Sequence, residues 1–387
     1  MAHTWLRKLT AKFDRTIHRV QLAHALHSVA LSFVGIYVPV FLLTHGFSLI
    51  ETIVFFIVFH LIGLALGLTL CPFLMRRWGL VQTLRLSYPI QIVFFITLNL
   101  MPTADIPWYL VASLGGTATF LYWMPLNILL VKYADEKKMG SDMGMFFALP
   151  KIFGVAGPLI SALLIPFFGF WPMFIVSGIG LLIAYTPLIG LQKESLSVDF
   201  KFSQAFEKIK KRKLLFFLEG FDNIIEESEW FWGIFVFLVI GSLSAPGIVG
   251  GLESLGGALF ALLVGKHANK SALKLIPLAS VGLIILWISR FFIESPLSAY
   301  LITIVTSFVM TLFLVSYFSL IYKNIKNDDE EIFLILREIP TVIGRMIVFG
   351  SIILVASHPK QFFILPIATI LFLLLLFFIK RKRLLAI

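Results

Sequence analysis

Long apolar runs broken by short polar segments dominate the chain from end to end. A hydrocarbon core about 30 Å thick is crossed by roughly 20 helical residues. The pattern therefore predicts about twelve spans, near 21–44, 49–73, 81–101, 107–132, 141–166, 169–191, 215–241, 246–265, 273–293, 297–322, 331–357 and 361–379. The longer runs predict helices that tilt or extend past the lipid. Residues 192–213 are polar and then strongly basic, the one long interruption of the pattern. The expected fold is all-α and polytopic, with six-helix bundles over 21–191 and 214–380 joined by that linker. At the start, Leu6, Leu9, Phe13 and Ile17 form an apolar stripe among Arg7, Lys8, Lys12 and Arg15, which predicts an amphipathic interfacial segment over 1–20 and no cleaved signal peptide. Residues 381–387 form a short tail.

Composition agrees with the pattern. A mean hydropathy of +0.96 with only 14% charged residues excludes a single soluble core. The formal charge of +11 does not point to nucleic acid, because the basic residues sit in clusters beside apolar runs rather than along a solvated face. With both termini inside, 26 of the 32 Lys and Arg residues fall on the cytoplasmic side, Arg290 and Lys360 fall opposite, and Arg85, Lys151, Arg337 and Arg345 lie within spans. The positive-inside rule then places both termini in the cytoplasm. The single cysteine, Cys71, lies in an apolar run, so neither a disulfide framework nor a cysteine metal cluster is expected. No phosphate-binding loop is present, and no cofactor or metal is expected.

The seventh run opens against this pattern. "EGFDNIIEESEWFWGIFVFLVIG" carries five carboxylates before its aromatic half. At about 100° per residue, Glu219, Asp222, Glu226 and Glu229 share an arc of about 80°, flanked by Asn223 and Trp230, with Glu227 further round. Carboxylates facing lipid cost several kcal/mol even on lenient scales, so the stripe is expected to face protein or a water-filled cavity. The alternative, a helix starting after the acids, leaves only 230–241, too short to cross undistorted. Other in-span polar residues are open to bland or functional readings. His24 and His27 are packed residues or proton sensors, and Trp123 with Asn127, one turn apart, are solute contacts or interior helix contacts. Glu338 and Arg345 lie seven residues apart and nearly on one helix face, with Pro340 breaking or kinking the span between them; the cation there neutralises the acidic stripe, binds an anionic substrate or pairs with Glu338.

Three short motifs carry a family resemblance. "GKHANKSALK" after the eighth span sets Gly265 four residues before Asn269 and Lys270, and resembles the G-x-x-x-(D/N)-(R/K) gating loop of the major facilitator superfamily. The loop after the second span, "FLMRRWGLVQTL", keeps Arg77 and Gly79 but has Arg76 where that family usually has an acid. "PKIFGVAGPLISALL", with Gly154, Gly157 and Pro158, resembles a degenerate antiporter motif in the fifth span and allows close helix approach and a kink. "LYWMPLNILLVKYADEKKMGSDMG" resembles bacterial members of the superfamily, which implies a bacterial inner membrane. In the resembled fold, spans one, four, seven and ten line a central cavity, which would place the acidic stripe there. Spans five and eight pack together, which would allow Lys151 to pair with Glu253.

The resemblance implies a secondary transporter working by alternating access, with a small-molecule solute, protons and the lipid bilayer as partners. A carboxylate that gains and loses a proton changes the charge of the cavity and biases two conformations, so the in-span acids favour proton coupling. They also favour a cationic or amphiphilic solute, and the antiporter-like motif favours export. The alternatives are a non-transporting membrane scaffold or receptor, supported by the Arg76 loop, and a membrane-embedded enzyme. "NDDEE" at 327–331 invites the enzyme reading, but Asp and Glu are common at a helix start and no catalytic pair accompanies them.

Overall fold

The computed structural model describes residues 16–134, 139–196, 200, 202–325 and 330–386, without the side chains of 202–206, 259, 262–272 and 380–386. Every regular element among the described residues is helical. The first span is α1 (Thr16–Ser32) and α2 (Tyr37–Thr44). It is followed by α3 (Leu49–Arg77), α4 (Leu80–Leu100), α5 (Trp108–Tyr133), α6 (Met139–Gly154), α7 (Ala156–Phe168) and α8 (Trp171–Tyr185). The second half comprises α9 (Phe202–Lys211), α10 (Lys213–Ile240), α11 (Ala245–Ser289), α12 (Pro296–Ile325), α13 (Glu330–Leu336), α14 (Glu338–Leu354) and α15 (Ile364–Ala386).

Nine stretches among the described residues are long and apolar enough to cross a membrane. Large apolar side chains such as Leu163, Phe167, Phe292, Leu354 and Phe378 are exposed on the outside of the molecule, where only lipid makes them favourable. The chain is an integral membrane protein. The three expected spans outside those nine are α10, the first arm of α11, and α13 with α14. Two of these, α10 and the α13–α14 pair, carry dense charge. The acids of the seventh run stand inside a helix that begins at Lys213, so the late-starting alternative does not apply.

Prolines account for the broken spans, since each removes the amide that would bond four residues back. Pro158 withholds a bond from Gly154, where α6 ends, and Pro340 withholds one from Leu336, where α13 ends. The break thus falls at Arg337, before Glu338 rather than between Glu338 and Arg345. The element α11 doubles back on itself. Glu253 on its first arm and Arg290 just beyond its second both lie beside Glu229, whereas a straight helix would separate them by roughly 55 Å. The expected eighth and ninth spans are these two arms.

Basic side chains gather at one end of the molecule. Arg19 donates to the carbonyls of Pro187 (2.9 Å) and Ile189 (2.5 Å), and Arg85 donates to that of Leu188. Lys193 Nζ reaches the Arg77 carbonyl at 2.9 Å, while Lys132 lies 2.9 Å from Glu194 and 3.7 Å from Glu331. Leu80 N–H donates to Glu194 O at 2.7 Å, tying residues just after the sixth span to the start of α4.

Candidate functional site

The helix α10 approaches α14 closely enough that a Cβ on Gly344 would collide with the Gly220 carbonyl. That contact brings the acidic face of α10 against Arg337 and Arg345. Glu219, fully buried, lies 3.3 Å from Arg337 (Oε2 to Nη2). Arg337 Nη1 donates to Tyr322 OH at 2.7 Å, and Tyr322 OH donates to Asn127 Oδ1 at 3.2 Å. One chain of polar contacts therefore joins α10, the break before α14, α12 and α5. Asn223 Nδ2 donates to the Glu219 carbonyl (2.9 Å) and to Thr341 Oγ1 (3.2 Å), fixing the same helix pair.

Arginines claim two more carboxylates. Glu227 Oε2 lies 3.2 Å from Arg345 Nε, and Arg345 Nη1 approaches His60 Nδ1 on α3 at 3.2 Å. Glu229 Oε2 accepts from Arg290 Nη2 at 2.7 Å. Arg290 is wholly buried, its guanidinium 3.8 Å from the Trp287 ring centroid and 4.4 Å from that of Trp232. Asp222 is fully buried, and neither carboxylate oxygen has a hydrogen-bond partner among the described residues.

Glu226 faces a cavity of roughly 120 Å³ whose lining includes Trp123, Asn127, Glu338, Arg337 and Arg345. A second cavity of roughly 300 Å³ has Trp123, Trp230, Glu229, Glu253 and His27 in its wall. Trp123 lines both. His27 Nε2 lies 2.7 Å from Gln91 Oε1, and its ring stacks on Tyr122. His24 Nδ1 lies 2.8 Å from Tyr122 OH, with its ring stacked on Phe146.

The structure redraws the expected charge pairs. Arg345 pairs with Glu227 and not with Glu338, because seven residues of one helix separate Arg345 from Glu338 by about 10 Å of rise. Lys151 and Glu253 form no ion pair within 4.0 Å. The Lys151 side chain runs over Gly257, one turn from Glu253, towards Thr311 Oγ1 at 3.5 Å. Arg290, assigned by charge counting to a membrane face, is instead an interior residue. Arg337, Tyr322 and His60 were not singled out from the sequence. Arg337 was visible there as an in-span cation, but its partner lies on a distant helix.

The helix-packing motif lies where α7 meets α1. Gly157 packs against Ser32, Gly154 ends α6, and Pro158 lies against Gly247 and Gly250 of α11. Gly79 caps the start of α4 with φ of 104°, and Arg77 ends α3. Gly265, Asn269 and Lys270 fall within α11, but their side chains lie outside the described residues. So does most of the 327–331 run, of which Glu330 and Glu331 open α13. Among the described residues no group of three or more His, Cys, Asp or Glu side chains could hold a metal ion.

No protein-family model matches the sequence, and no curated protein matches it. Solved structures do match the fold over nearly its whole length. A bacterial homologue of the iron transporter ferroportin in an outward-facing state superposes with a TM-score of 0.70 at 14% identity, over 95% of this chain and 100% of that one. The major facilitator superfamily transporter FucP in the outward conformation gives 0.71 at 11% identity, over 95% and 99%. The human organic anion transporter MFSD10 (TETRAN) gives 0.63 at 12% identity, over 92% and 98%. At these identities the likeness concerns architecture alone, and by that architecture the chain has the major facilitator fold.

Proposed function

We propose that the protein is a secondary transporter that moves a small cationic or amphiphilic solute by alternating access, coupled to protons and working as an exporter. Two bundles, 21–191 and 214–380, rock about the site. Both termini and the 192–213 linker lie on the cytoplasmic side of a bacterial inner membrane, as the clustering of basic residues favours.

The observation that carries this reading is the charge left over inside the molecule. Glu219, Glu227 and Glu229 each have an arginine, whereas Glu226 and Glu338 line the first cavity with no ion pair within 4.0 Å among the described residues, and Asp222 is sealed behind them. An isolated interior carboxylate is costly unless a cation or a proton joins it. A site that can take either one, but gains little from taking both, exchanges them, and the exchange of charge biases the two conformations.

Solute flux into proteoliposomes tests the reading. With radiolabelled phenyltrimethylammonium as probe, an imposed proton gradient is expected to drive accumulation against its concentration gradient. Glu226→Gln is expected to abolish the gradient dependence while sparing equilibrium exchange. Flux equal to that of protein-free liposomes, across a panel of organic cations and neutral amphiphiles, would overturn it.

A further inference from the structure

The second cavity contains the parts of a site of its own. At roughly 300 Å³ it falls at the lower end of the range of small-molecule pockets. Trp123 and Trp230 contribute indole rings, whose faces attract cations. Glu253 contributes a carboxylate without an ion pair, because Lys151 extends past it to Thr311. Glu229 adds a second carboxylate, of which one oxygen is occupied by Arg290 and the other, Oε1, is buried without a hydrogen-bond partner among the described residues. The rest of the polar lining, Ser28, Ser32 and Ser254, is uncharged, and His27 is engaged by Gln91.

The nearest guanidinium does not fill this space. Arg290 is enclosed by Trp232, Trp287 and Glu229. Two indoles and a carboxylate thus already hold one cation within the protein, and the second cavity offers the same chemistry with room for a ligand. Its wall is shared with the first cavity only through Trp123, while Glu226 belongs to the first cavity.

We infer that the second cavity binds a monovalent organic cation with an aromatic or apolar body, held by Glu253 and by the rings of Trp123 and Trp230, independently of Glu226. As a stage on a transport route this rests on the function proposed above; as a binding site it does not.

Equilibrium dialysis of the full chain in detergent at pH 8, with radiolabelled phenyltrimethylammonium, provides the test. Saturable binding is expected, weakened by about tenfold or more in Glu253→Gln and in Trp230→Ala. Trp230→Phe, which keeps a ring, is expected to stay within about threefold of the parent. The neutral analogue N,N-dimethylaniline should compete about tenfold less well, because it lacks the charge. Binding lost in Glu226→Gln but kept in Glu253→Gln would move the site to the first cavity and overturn the inference. Equal competition by the neutral analogue, or no saturable binding by folded protein, would overturn it too. No gradient is present, so a protein that binds the probe but never accumulates it would refute the transport reading and leave this site standing.

Discussion

Arg345 holds Glu227 at 3.2 Å, and the adjacent residue, Glu226, is left facing the first cavity. Two neighbouring carboxylates therefore have different surroundings, one within ion-pair distance of a guanidinium and one in the wall of a cavity that Arg337 and Arg345 also line. Glu227→Gln is expected to lower the melting temperature in detergent and leave the ratio of gradient-driven uptake to exchange unchanged. Glu226→Gln is expected to leave melting nearly unchanged and reduce that ratio by about tenfold or more. If the two variants exchange these phenotypes, the role assigned to each carboxylate is wrong.

Asp222 lies one turn from Glu226 and is wholly buried without a partner among the described residues. Its separation from the cavity lining predicts a smaller effect on uptake for Asp222→Asn than for Glu226→Gln, together with a gain in thermal stability, because an amide tolerates burial better than a carboxylate. Interacting acids titrate as a set, so the pH profile of uptake is the sensitive measurement. A profile that Asp222→Asn leaves unmoved, with Glu226 intact, would show that the two do not communicate.

The sequence made the helical pattern and the acidic face of α10 legible, because hydropathy and helical spacing are local properties. It did not make the partners legible. Arg337 could be counted as an in-span cation, but its reach to Glu219 depends on how α14 packs on α10, and that depends on the Gly220–Gly344 contact. Arg290 was misplaced for a similar reason. A cation at the end of an apolar run looks like an interfacial charge until Trp232 and Trp287, from two different helices, enclose it. The expected Glu338–Arg345 pair failed on distance alone: being on one helical face at seven-residue spacing is not contact.

Arg337 joins two interior partners, Glu219 and Tyr322, while nearly buried. Removing one partner of a buried ion pair costs about 3–5 kcal/mol, mostly for the charge left behind. Arg337→Gln is therefore expected to unfold at markedly lower temperature or denaturant. The double variant Glu219→Gln with Arg337→Gln should recover most of the loss. A double variant no more stable than Arg337→Gln would show that Arg337 acts through Tyr322 and Asn127 rather than through Glu219.

Lys193 and Lys360 are both exposed, and they lie at opposite ends of the helices they follow or precede. On a Cys71→Ala background, Lys193→Cys is expected to react with an impermeant maleimide only in inverted vesicles, and Lys360→Cys only from outside intact cells. The reverse pattern would invert the proposed orientation and the direction of transport with it.

Trp123 is the residue shared by the two cavities, one lined by Glu226 and the other by Glu253. Alternating access requires that the two sides never open to each other at once, so a bulky side chain at this point has a mechanical consequence as well as a binding one. Trp123→Ala removes the ring, and His24, which meets it edge-on at 5.5 Å between centroids, already stacks on Phe146 and is not free to replace it. The alanine variant is expected to fold, to dissipate an imposed pH gradient about tenfold faster than the parent in proteoliposomes without solute, and to lose accumulation as a result. Trp123→Phe, which keeps a smaller ring, should fall between the two. A gradient that decays at the parent's rate in Trp123→Ala, with the protein shown to be folded and inserted, would mean that the partition lies elsewhere and that Trp123 serves only the walls of the two cavities.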